Sequence, residues 1–182
     1  MSESSPIKEA LYEIIHEIGQ EQIHELLSNE NFVEIFEKIY NPVVNKIADT
    51  DEFKKHGILA ESLTHYLFTE MLIPSQRKII FQNTELDMVI PNIIELQKDT
   101  HNAILILFVK TSNTNEIKKK IKNIKNIQND DSKIWLISKD EIKVPQKVFF
   151  TTKESFNEFL KNTKDFIEKN KMNKLNIFKT KT

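Results

Sequence analysis

The run Ala103-Ile104-Leu105-Ile106-Leu107-Phe108-Val109-Lys110 limits the fold more than any other stretch of the chain. Successive side chains of a strand point to opposite faces, so a strand that is apolar at every position must be covered on both. This predicts a central strand in a sheet layered between helices, an α/β architecture.

The flanking pattern fits that layering. Ile7, Leu11, Ile14, Ile15, Ile18, Ile23, Leu26 and Leu27 recur at helical spacing. Ser28-Asn29 interrupts them and offers a cap to a second helix, with Phe32, Ile35, Phe36, Ile39 and Tyr40 inward. Asn41-Pro42 suits a fresh helix start, since proline near the first helical position sacrifices no hydrogen bond. That segment continues through Val43, Val44 and Ile47 to about Gly57, and another helix follows with Ile58, Leu59, Leu63, Tyr66, Leu67, Met71 and Leu72 as its apolar stripe. Strands are expected over 77–81 and 86–90, joined by a turn at Gln82-Asn83-Thr84 and stopped by Pro91. After the central strand come a lysine-rich helix over about 115–128, a strand over 133–138 with Trp135 in or near the core, a strand near 148–151 and a last amphipathic helix. The order is a helical front, then α-β-β-β-α-β with a β-α extension.

At 182 residues the chain suits one sizeable domain with a helical appendage. The expected division is an acidic helical extension over 1–56, an α/β domain over 57–170 and a frayed basic tail over 171–182. Cysteine is absent, which removes disulfides, thiol nucleophiles and thiolate metal sites. With only Gly19 and Gly57, a phosphate-cradling glycine loop is excluded as well. No apolar run reaches membrane-spanning length, and Met1–Ser5 does not open a leader, so a cytoplasmic location is expected.

The net charge of −1 conceals a strong asymmetry. Residues 1–70 hold 5 lysines against 14 acids, and residues 71–182 hold 21 basic side chains against 13 acids. The basic part could meet a polyanion, or the two parts could neutralise each other within one fold. Lysine outnumbers arginine 25 to 1, which looks like coding bias from an AT-rich genome.

Three segments stand in a telling order: Gly57-Ile58-Leu59-Ala60-Glu61 in a helix, Thr84-Glu85-Leu86-Asp87-Met88-Val89-Ile90 in a strand, and Leu107-Phe108-Val109-Lys110-Thr111-Ser112 at the end of the central strand. Over roughly residues 57–138 the chain resembles the PD-(D/E)xK nuclease superfamily, especially archaeal Holliday-junction resolvases and Mrr-type relatives. The resemblance implies a restriction-endonuclease-like core and metal-dependent hydrolysis of DNA. Asp87 would be the principal ligand of Mg²⁺ or Mn²⁺, Lys110 would orient or activate the attacking water, and Glu61 would hold the metal or its water. The superfamily has an acid two residues before the lysine, and this chain has Phe108 there. Glu85, on the same strand face as Asp87, and Glu116, at the start of the following helix, are the candidate replacements.

Lys118, Lys119, Lys120, Lys122 and Lys125 could contact phosphates beside such a centre, as could Arg77. Each also has an ordinary reading, the solvated face of a helix or a strand-end charge. His65, four residues after Glu61, could assist the site or simply be a surface histidine. Three functions follow. The first is a structure-selective or repair-type DNA endonuclease acting as a homodimer, with RNA still open as a substrate. The second is an inactive relative that binds nucleic acid or serves as a partner subunit. The third is an interaction module whose acidic front helices bind a basic protein.

Overall fold

The structure, a computed structural model, describes residues 5–47 and 51–179, with side chains to residue 170. The helical front comprises α1 (Pro6–Ile18), α2 (Gln20–Ser28), α3 (Phe32–Ile35) and α4 (Asn41–Lys46). The stripe expected from Ile7 onward is broken at Gly19, whose φ of 86° belongs to the region glycine enters without steric cost. Ser28-Asn29 does not cap the next helix. Asn31 does, its side chain accepting from the Glu34 N–H. Nor does Asn41-Pro42 start afresh, because Tyr40 is already helical and a π turn, Phe36–Tyr40, joins α3 to α4. Proline cannot donate to the helical ladder, and the widened turn is where that ladder is interrupted.

Helix α5 (Glu52–Glu70) starts at Asp51, whose carboxylate accepts from the Lys54 N–H. It runs straight through Gly57, so the boundary expected there falls inside a helix. Strands β1 (Gln76–Phe81) and β2 (Thr84–Ile90) form a hairpin. Gln82 and Asn83 have φ of 48° and 59°, which matches the two-residue turn whose twist suits a hairpin. A short helix, α6 (Ile93–Lys98), follows where only the stop at Pro91 was anticipated; the Asn92 side chain caps it at the Glu95 N–H. Then come β3 (Ile104–Phe108), α7 (Thr114–Lys125), β4 (Ile134–Ser138), β5 (Lys147–Phe150) and α8 (Lys153–Lys179). The tail expected to fray over 171–182 is helical backbone through Lys179.

The five strands form one mixed sheet in the order β1-β2-β3-β4-β5. β1, β2 and β3 run antiparallel, and β3, β4 and β5 run parallel. All of β3 and β4 is buried, as the central apolar run requires. One face packs Met88, Ile106, Phe108, Trp135, Ile137 and Phe149 against the front helices, α5 and α8. The other packs Val89, Leu105, Leu107 and Leu136 against Ile117, Ile121 and Ile124 of α7. The front helices thus share a core with the sheet. Trp135, Phe149, Phe156 and Phe159 meet there at 5.4–6.3 Å between ring centroids, each such pair adding about 0.5–1.5 kcal/mol beyond its buried area. Among the described residues, no helix is long and apolar enough to cross a membrane.

Candidate functional site

Glu61 is the least exposed charged side chain among the described residues. Residues 59–64 of α5 are buried all round, so Glu61 is only 3% exposed. A carboxylate so placed must be paired. Lys110 Nζ lies 2.6 Å from its Oε2, and Arg77 Nη2 donates to its Oε1 at 3.1 Å. The sheet delivers both cations to this face. Arg77 sits opposite Met88, whose side chain is in the α5-side core, and Lys110 is two residues beyond Phe108, which points the same way. Burial pushes the Glu61 carboxyl up, but Lys110, Arg77 and Lys78 together outweigh it, and the net shift is below the ordinary 4.5.

Gly57 brings the helix close enough for that contact. A Cβ there would lie 2.4 Å from the Val109 carbonyl oxygen and 2.6 Å from Lys110 Cγ. No real side chain fits, so the approach of α5 to the end of β3 depends on glycine.

Asp87 enters from the other side of Lys110. The β2–β3 ladder pairs Met88–Ile90 with Ile104–Ile106. Beyond its end, Asp87 Oδ2 accepts from the Phe108 N–H at 2.8 Å. The side chain thereby satisfies a buried donor next to where the ladder stops. On the opposite edge of β2, the β1 register passes from Arg77–Met88 to Ile79–Leu86 and skips Lys78, whose φ is 51°. A left-handed non-glycine residue inside a strand is strained. By that register Lys78 falls opposite Asp87. Asp87 Oδ1 is 4.0 Å from Lys110 Nζ. Burial raises the Asp87 carboxyl above the ordinary 3.8, and Lys110 and the Phe108 amide only partly offset it.

No protein-family description, curated protein or solved structure matches the chain.

Glu61, Asp87 and Arg77 come together from α5, β2 and β1 around Lys110, which lies in the loop just after β3 rather than at the strand end expected for it. Glu85 is near them: it lines a pocket of about 280 Å³ with Asp87, Lys110, Lys120, Asn83 and Asn123. Glu116 does not join this lining; it is exposed on the first turn of α7, 4.0 Å from Lys120. Lys118 faces a different hollow, with Phe53, Thr111 and Ser112. Lys125 pairs with Asp131 at 3.0 Å. Lys118, Lys119 and Lys122 are exposed and have no ion-pair partner among the described residues. His65 is half-buried, and burial followed by Arg77 lowers its pKa. Asn83 and Asn123 were not singled out from sequence. Asn83 reads there only as turn chemistry, and Asn123 as one more polar position on a solvated helix.

The side chains present do not fit the Mg²⁺ or Mn²⁺ ligand set implied by the resemblance. Phe108 is 1% exposed and belongs to the core. Both Glu61 oxygens are engaged by cations, and one Asp87 oxygen accepts from the backbone. Among the described residues, no three acids or histidines form a group that could hold an ion. The oxygens left over, on Asp87 and Glu85, share their pocket with Lys110 and Lys120, which repel a cation.

Proposed function

We propose that this chain is a nuclease-fold protein that binds DNA without cutting it. The cleft at Asp87 and Lys110 and the lysine face of α7 form its contact surface. The observation that carries this reading is the placement of α7. Its residues Lys120, Asn123 and Ile124 line the same pocket as Asp87 and Lys110, and unpaired lysines extend from there along the helix. Lysines without carboxylate partners are free to neutralise phosphates and release their counterions. The inner cluster holds Glu61 and Asp87 against Lys110 and Arg77, so it attracts a divalent cation weakly.

The test is salt-dependent DNA binding by the full chain. Lys119→Glu combined with Lys122→Glu should weaken binding at least tenfold at moderate salt and flatten the slope of log K against log salt. An unchanged slope would remove α7 from the interface.

A second reading, a metal-dependent endonuclease of structure-selective or repair type, is favoured by one observation. Two acids from separate elements, Glu61 of α5 and Asp87 of β2, both lie within ion-pair distance of Lys110. That reading needs a further oxygen ligand in place of Phe108, and it stands or falls on cleavage.

A further inference from the structure

The pocket beside Asp87 holds chemistry that backbone binding leaves unused. Leu107 and Ile124 supply its apolar wall, and Asn83, Glu85 and Asn123 stand around them. Among the described residues, those three side chains have no hydrogen-bond or ion-pair partner within the chain. Two acids, Glu85 and Asp87, share the pocket with two lysines, Lys110 and Lys120. A phosphate inside would be repelled by both carboxylates, whereas a neutral ring with polar edges would not. The volume, about 280 Å³, is just below the usual range for ligand sites (roughly 300–1,000 Å³), which leaves room for no more than a single compact ring system.

We propose that this pocket receives one unstacked nucleobase bearing an exocyclic amine, from a DNA strand whose phosphates lie along α7. The inference rests on the DNA-binding reading above and names the substrate class of that site. Glu85 accepts from the amine, as a carboxylate does from cytosine N4. Asn83 and Asn123 each offer a donor and an acceptor to the ring nitrogens and carbonyls. Leu107 and Ile124 cover the ring. A base can enter only when it is out of the stack, which costs free energy in a duplex and little in a single strand or at a branch. The preferred substrate is therefore single-stranded or branched DNA rich in the amine-bearing bases cytosine, adenine or guanine, with thymine disfavoured.

Fluorescence anisotropy with labelled oligo(dC), oligo(dA), oligo(dT) and a blunt duplex tests this on the full chain. The dC and dA strands should bind about tenfold more tightly than the dT strand or the duplex. Asn123→Ala and Glu85→Ala, both at exposed positions, should each erase that preference, while Lys122→Ala weakens every substrate alike. A preference that is absent, or that survives both pocket variants, overturns the base pocket and leaves DNA binding standing. Failure of every DNA to bind overturns both. Free dCMP that outcompetes the strands would overturn the assignment to a strand and mark the pocket as a nucleotide site.

Discussion

The backbone N–H of Phe108 donates to Asp87 Oδ2 at 2.8 Å while the Phe108 ring is 1% exposed in the core. One residue thus does two things at once. Its main chain orients the carboxylate that the sequence singles out, and its side chain fills the position where an acid is expected. Phe108→Glu should therefore cost more than about 3 kcal/mol, because it deletes a buried ring and places a charge among Ile106, Ile137 and their neighbours. Phe108→Leu, which keeps the amide and most of the volume, should cost about 1 kcal/mol. Urea unfolding of both variants checks this. A Phe108→Glu protein as stable as the parent would mean the position opens to solvent.

Glu61 and Asp87 should respond to pH in opposite senses. The folded pKa of Glu61 is below 4.5, so its pairing stabilises the fold above that value and the contribution is lost as pH falls through the lowered pKa. Glu61→Gln should cost stability at pH 7 and progressively less on acidification. The folded pKa of Asp87 is above 3.8, so the folded state holds its proton longer than the unfolded chain, and ionisation destabilises the fold as pH rises through the window. Asp87→Asn, which still accepts from the Phe108 N–H, should gain stability relative to wild type between acid and neutral pH. Chemical denaturation at stepped pH reads both slopes.

Removing Lys110 leaves Glu61 with Arg77 alone. Lys110→Met should destabilise by about 1–3 kcal/mol, at or below the usual range for a broken buried pair because the lysine is 28% exposed. Adding Glu61→Gln should recover part of the loss, and a double-mutant cycle measures the coupling. Additive effects would mean that the 2.6 Å contact contributes no coupling energy.

Gly57→Ala should destabilise although alanine is the better helix former by about 1 kcal/mol. The added methyl would lie 2.4 Å from a backbone carbonyl that cannot rotate away. A net loss of about 1–3 kcal/mol in thermal or urea unfolding is expected. A gain would mean that α5 can draw back from β3.

Much of the layering was legible in the sequence because it is written in periodicity. The apolar run at 104–108 demanded cover on both faces, and Ile117, Ile121 and Ile124 marked the helix that covers one of them. What stayed hidden depends on contacts between distant segments. Nothing local distinguishes Gly57 as a close-approach residue from Gly57 as a helix break. The π turn at Phe36–Tyr40 is sequence-silent, and the Asn92 cap was masked by Pro91. At the candidate site, Glu61, Asp87 and Lys110 could be named in advance, and Arg77 only as a loose phosphate contact. Its partnership with Glu61 follows from the β1–β2 register, which no single segment carries. Asn83 and Asn123 meet only because a hairpin tip and a helix converge on one pocket.

The most direct test places labelled single-stranded, branched and duplex DNA with the full chain in EDTA, Mg²⁺ or Mn²⁺. Anisotropy is followed first, and the same samples are then run on a denaturing gel. Salt-sensitive binding is expected in EDTA, undiminished in Asp87→Ala, with every strand intact after incubation with either metal. Metal-dependent cleavage that disappears in Asp87→Ala would contradict it, and would show that the cleft finds its missing ligand despite Phe108.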